Sequence, residues 1–178
     1  TYDYAKRLTY LGDILGLSEN AQTIIDYCKK TEEVGLQQIN DLKIQDKSVT
    51  VYTYYQGLTI PPNYKDAFVF NHILYNTLNL KMLPIVKDFL DDQSQQAFSQ
   101  ISNEKLKDYE GDLVIFAGFG EASIPDTVKT NEGFKSLKAV KENRVGCIDM
   151  LLYSFKDALY MEAQYNQILD ALKVASQN

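Results

Sequence analysis

Residues 112 to 118 read DLVIFAG, an apolar run of strand length that no polar residue interrupts after its first position. A half-exposed strand alternates apolar and polar side chains, so a run that does not alternate belongs to a strand covered on both faces. Parallel sheets meet that condition, because each parallel pair is joined by a long crossover, usually a helix that packs onto one face. The rest of the chain must then supply further strands separated by helices.

The flanking sequence does so. Tyr4, Leu8, Leu11 and Leu15 recur at helical spacing and stop at Gly16, predicting a helix over 3–15 with a glycine beyond its end. Ser18 offers the N-cap of a second, longer helix, in which Ile24, Ile25, Cys28, Leu36, Ile39 and Leu42 keep the 3.6 period. SVTVYTYY (48–55) is β-branched and aromatic and reads as a strand, which Gly57 and Pro61-Pro62 close. Helical spacing resumes over 69–80 and again, after Pro84, over 85–91; QSQQAFSQI is polar and irregular, and Ser102 can cap a short helix through NEKLKDY. RVGCID (144–149) is a further strand, and Ala158 to Ala175 form a long amphipathic helix. The expected fold is α/β: a three-layer α/β/α sandwich with a mostly parallel central sheet. A fourth, weaker strand is expected near 79–84 or 96–101. At 178 residues and 45% hydrophobic content, the chain suits a single domain.

Composition removes several functions. A net charge of −6, with Arg7 and Arg144 as the two arginines, argues against a nucleic-acid groove or an anionic membrane surface. No apolar run approaches the roughly 18 residues that span a bilayer. Cys28 and Cys147 each sit in an apolar pattern and read as small buried hydrophobes. TYDYAKRLTYLGDILG opens on Thr1 at a helix start, as expected of a piece of a longer chain.

Catalytic chemistry finds little support. GFGEAS, behind the apolar run, resembles a dinucleotide loop, but Ser123 stands where G-x-G-x-x-G needs its third small residue and Pro125 interrupts the helix that should hold the phosphate. His72 is the one histidine, one step out of the Phe70, Ile73, Leu74 stripe, and the carboxylates are scattered over helix surfaces. No residue set has metal-ligand spacing. The expectation is a protein that is not an enzyme, with no catalytic residue and no protein-bound metal.

Tyrosine stands out instead, with thirteen copies and no tryptophan. In an open parallel α/β sheet, ligands bind beyond the carboxyl ends of the strands. Three such ends carry YYQG, GFGE and LLYSF, a polar-aromatic rim of the kind small-molecule sites use.

LGDILG, ISNEKLKDYEGDLVIF and SLKAVKENRV, in that order and spacing, resemble the C-terminal half of the substrate-binding proteins of iron-siderophore, haem and cobalamin ABC importers, whose two lobes are joined by one long helix. The resemblance covers nearly the whole chain. It implies an interlobe linking helix over 1–17, a C-terminal ligand-binding lobe over 18–178, and an N-terminal lobe absent from this sequence. Position by position, it assigns ligand-facing roles to Tyr54, Tyr55, Gln56, Asn71, His72, Phe119, Tyr153 and Phe155, and permease docking to Glu104, matched to a surface glutamate that in those importers meets a permease arginine. It further implies a ferric siderophore as transported ligand with no intrinsic cofactor, ABC permease subunits as partners, and an extracytoplasmic location, either periplasmic or as a membrane-anchored lipoprotein. Members that bind ferric catecholates present arginines near the end of the first strand; YTYYQGLTI has none, and Lys65 is the nearest cation in sequence. A neutral or hydroxamate-type complex suits such a rim better, since a triply anionic one needs cationic donors. The alternative is a cytoplasmic effector-sensing domain of an AraC-type transcriptional regulator that binds a siderophore.

Overall fold

The computed structural model describes residues 3–61, 68–92, 99–154 and 158–177. Its centre is a four-stranded sheet in the order β2-β1-β3-β4, formed by β1 (Val49–Tyr54), β2 (Leu58–Thr59), β3 (Leu113–Gly118) and β4 (Val145–Asp149). β1, β3 and β4 are parallel, with Val51 opposite Ile115 and Phe116 opposite Cys147; β2 turns back antiparallel to β1. Every residue of β3 is buried, as its composition requires.

Strand alternation divides the core in two. Val49, Val51, Leu113, Ile115, Ala117 and Ile148 face one layer, built from α2 (Ser18–Leu42), α7 (Ala158–Ala175) and the segment around Phe70, Leu74 and Leu78. Tyr52, Val114 and Phe116 face the other, where α3 (Pro84–Asp91), α4 (Asp126–Lys129), α5 (Glu132–Ser136) and α6 (Lys138–Lys141) contribute Val86, Val128, Phe134 and Ala139. This is the expected α/β/α sandwich. Polar groups buried with β1 are paired: Thr50 Oγ1 donates to the Tyr109 carbonyl at 2.6 Å, Tyr52 Oη to that of Leu106 at 2.8 Å, and Thr53 Oγ1 to that of Ala117 at 2.7 Å.

α1 (Tyr4–Leu15) lies against α2 and ends, as its spacing predicts, with Gly16 in the left-handed region at φ 68°. Ser18 is not the cap of α2. Leu17 occupies that position without a side-chain bond, and the Ser18 hydroxyl donates to Asp13 Oδ1 instead. The α1–α2 corner is tight: a Cβ added at Gly12 would lie 2.6 Å from Ala21 Cβ.

The fourth strand lies in neither expected window. It is Leu58–Thr59, returned by a turn over 55–57 directly after β1. Lys81 makes one parallel bridge to Ser48, and the Ile101 amide donates to the Leu58 carbonyl, so both windows touch the sheet without extending it; residues 96–98 lie outside the described residues. The helical spacing over 69–80 becomes a π-helical segment, His72–Thr77. Its wider turn is closed by bonds such as the Leu78 amide to the Ile73 carbonyl at 2.8 Å. NEKLKDY forms a turn and then a 3₁₀ helix, Leu106–Tyr109; the carbonyl of Ser102, not its hydroxyl, receives the Lys105 amide.

Candidate functional site

Because β1, β3 and β4 run in parallel, the loops behind Tyr54, Gly118 and Asp149 emerge along one edge of the sheet. Adjacent strands are about 4.8 Å apart, so these loops are near neighbours. On this edge Tyr54, Tyr55 and Phe119 expose 36%, 49% and 47% of their surface, far more than core aromatics such as Tyr52 and Phe116 at 0%. Exposed aromatic rings on loop tips are expensive to leave in water unless something covers them in use.

The turn that presents the tyrosines is built locally. Gln56 sits at φ 59°, the Tyr55 amide donates to the Gly57 carbonyl, and Gln100 Nε2 donates to the Gln56 carbonyl at 2.9 Å. Gly57 packs closely under this bond: a Cβ there would lie 2.6 Å from the Gln100 side chain, which would have to swing aside. Behind β3, Gly118 allows the chain to fold sharply over the Glu121 and Ser123 carbonyls, and the next helix begins only after Pro125. The stretch is a turn that points Phe119 outward, and no phosphate-binding helix follows it. Asp149 Oδ1 accepts the amides of Gly120 and Leu151, both at 3.0 Å, and so ties the loop after β3 to the loop after β4.

Leu151, 45% exposed and 3.9 Å from the position of a Gly120 Cβ, completes the rim on the β4 side. Sequence reasoning passed over it in favour of Tyr153. Tyr153 is fully buried in the structure: its ring stands edge-on to Phe70 at 5.6 Å, and its hydroxyl donates to the Gln164 carbonyl at 2.9 Å. Met150–Ser154 is a 3₁₀ helix, so Met150 and Tyr153, three residues apart, turn inward together and Leu151 turns out. Tyr153 is therefore a core residue and not part of the exposed rim.

Asn71 and His72 open the π-helical segment. His72 is half-buried, while Asn71 is 6% exposed and its side-chain Nδ2 finds no hydrogen-bond partner among the described residues. A buried amide without a partner costs roughly 1–3 kcal/mol. Single-turn π segments inside helices recur where function demands an odd backbone. Phe155 and Lys65 lie outside the described residues. Glu104 is exposed in the turn before the 3₁₀ helix, and no ion pair engages it among the described residues. Burial raises the thiols of Cys28 and Cys147 above their ordinary value, so neither is an activated thiolate. Among the described residues no group of three or more His, Cys, Asp or Glu is placed to hold a metal ion, and no helix is long and apolar enough to cross a membrane.

In this α/β sandwich the exposed aromatic rim lies beyond the carboxyl ends of the parallel strands, the place where open α/β sheets take ligands. In sequence the chain is 33% identical over 118 residues to the iron(3+)-hydroxamate-binding protein FhuD of Bacillus subtilis, a match covering 62% of this chain and 37% of that protein. It is 24% identical over 192 residues to YxeB of the same organism, also an iron(3+)-hydroxamate-binding protein, covering 99% and 57%. In structure it superposes on Staphylococcus aureus FhuD2 with bound ferrioxamine B at a TM-score of 0.72 and 21% identity, covering 98% of this chain and 66% of that one. No family model matches. The chain is thus similar to siderophore-binding proteins in sequence and in fold, and it spans between about a third and two thirds of the length of these relatives.

Proposed function

We propose that this chain is the ligand-binding lobe of a substrate-binding protein that captures an iron(III)-siderophore complex of the hydroxamate class and delivers it to an ABC importer. The observation that carries the reading is the exposed rim of Tyr54, Tyr55, Phe119 and Leu151 on neighbouring strand ends. Aromatic faces and hydroxyls suit an iron already wrapped by its chelator, whose outer surface is organic and carries little net charge. No cation stands among those rim residues, as a triply anionic catecholate complex would require. The names of the two sequence relatives, both hydroxamate-binding proteins, favour the same class.

Residues 18–178 act in this reading as one wall of a cleft, and α1 belongs to the linker towards a second lobe. In support, Tyr10, Leu11, Ile14 and Leu15 of α1 are each more than half exposed, an apolar face that this chain leaves uncovered and that the remainder of a longer protein would bury. Glu104 serves as the docking carboxylate for a permease, on the cell's outer side. The relatives' names describe iron(3+)-hydroxamate-binding proteins and no DNA-binding regulator, which favours this reading over the regulatory one.

The test is a titration of the full-length protein with ferrioxamine B and with a ferric tris-catecholate, read by quenching of intrinsic fluorescence. Tight binding of the hydroxamate is expected, weakened at least about tenfold when Tyr54, Tyr55 and Phe119 are changed to Ala, since each lost aromatic contact is worth about 0.5–1.5 kcal/mol. Unchanged affinity in the triple variant would remove the rim as the site, and preference for the catecholate would overturn the ligand class.

A further inference from the structure

We infer that the opposite edge of the sheet carries a second site, a basic groove that takes phosphate-type anions. A cavity of about 750 Å³ opens there, before the starts of β1, β3 and β4, floored by Ile44, Leu83 and Leu113. Its charged lining runs against the character of the whole chain. In a molecule of net charge −6, five cations, Lys43, Lys47, Lys107, Lys138 and Arg144, face this cavity against two carboxylates, Glu110 and Asp112.

Both carboxylates are already in use. Glu110 Oε1 accepts the Ala139 amide at 2.8 Å, and Asp112 Oδ2 accepts the amide and hydroxyl of Ser48 at 2.8 and 2.9 Å. Two of the cations are in use as well: Arg144 donates to the Ala175 carbonyl and pairs with Glu142, and Lys138 stands 4.0 Å from Glu142. Lys43, Lys47 and Lys107 form no ion pair among the described residues. They come from three different segments, the C-cap of α2, the lead into β1 and the 3₁₀ helix, so the fold itself gathers them.

Low-dielectric walls beside like charges focus their field into a groove. A monovalent ion gains little from one exposed ammonium. A compact multivalent oxyanion engages several at once, and lysine suits phosphate as a flexible point charge. The ligand class is therefore a clustered phosphate, supplied either by a soluble oligophosphate or by headgroups of an anionic lipid surface. The groove lies at the strand ends remote from the aromatic rim, and the inference does not rest on the siderophore reading.

The experiment titrates the full-length protein with inorganic tripolyphosphate by calorimetry at low ionic strength, and separately co-sediments it with phosphatidylglycerol and phosphatidylcholine vesicles. Two charge-matched triple variants are compared: Lys43→Gln, Lys47→Gln, Lys107→Gln in the groove, and Lys6→Gln, Lys29→Gln, Lys30→Gln on α1 and α2. The groove variant is expected to bind about tenfold more weakly and the control within about twofold of wild type, with binding lost as salt rises. Groove-dependent binding of tripolyphosphate supports a soluble ligand; groove-dependent sedimentation with phosphatidylglycerol alone supports a lipid surface. Absence of both, or equal weakening in the two variants, overturns the site. Ferrioxamine B affinity of the groove variant is expected to stay at the wild-type value, so failure here and failure at the rim are read separately.

Discussion

Gly146 of β4 lies so close to α7 that a Cβ there would sit 2.1 Å from the Ala171 carbonyl oxygen. Backbone cannot yield as a flexible side chain can, so Gly146→Ala must push the helix off the sheet. Overpacking of this kind costs about 1–3 kcal/mol, and for a chain of this size that is a fall in melting temperature of roughly 2–12 °C. Thermal unfolding followed by circular dichroism checks it; an unshifted transition would mean that α7 does not seat on Gly146. Gly16 is needed for the opposite reason, a φ of 68° with open space around it. The second kind of glycine is visible in a sequence, at the end of an apolar period, whereas the first depends on a partner twenty-five positions away. Tyr153 was misread for a related reason. Its place behind β4 was legible, but the 3₁₀ turn that hides it and exposes Leu151 was not, although the three-residue spacing from Met150 to Tyr153 was the available signal.

Among elements, the long ones declared themselves. α1, α2, α7 and β3 follow from periodicity or from its absence, because each buries enough side chains to leave a pattern. β2 is two residues long and leaves none, and the π-helical His72–Thr77 shares its apolar spacing with an ordinary helix over so short a span. The starts of β1 and β3 are joined by a side-chain bracket that sequence could not announce. The Ser48 amide and hydroxyl donate to Asp112 Oδ2, and the Asp112 amide donates to Ser48 Oγ at 3.0 Å. The Ser48 amide, first among the causes, holds the Asp112 carboxyl below its ordinary value, with the hydroxyl and the fields of Lys47 and Lys81 adding to it. A depressed carboxyl stabilises the fold above its unfolded-state value near 4 and loses that contribution as pH falls through the lower folded-state value. Asp112→Asn is thus expected to cost up to about 1 kcal/mol at pH 7, given the screening at this exposed site, and progressively less below about pH 4. Urea unfolding of both proteins at pH 7 and about pH 3 measures the gap; a gap that stays constant would show that the carboxylate's charge plays no part in the bracket.

At the scale of the molecule, the parallel sheet separates two kinds of surface: an aromatic rim at the carboxyl ends of the strands and a basic groove at their starts. Glu104 belongs to neither. It lies on the flank, where the segment from Ile101, bonded to Leu58, to Tyr109, bonded to Thr50, runs back along β1 from the rim towards the groove. A carboxylate there is free to meet a partner while the rim is occupied, because nothing on the described chain competes for it. Charge at the edge of an interface acts mainly on encounter and orientation, and reversing it sets like charges against each other when the partner is basic. If the proposed docking role holds, Glu104→Arg in the full-length protein leaves ferrioxamine B affinity within about twofold of wild type, since no rim contact is touched. Iron uptake by cells carrying the variant should fall severalfold or more, because like-charge juxtaposition costs several kcal/mol. Radiolabelled iron uptake and fluorescence titration of the same variant separate the two effects. Normal uptake would remove Glu104 from the docking surface, and a weakened affinity with proportionate loss of uptake would place it instead among the residues that support the binding edge.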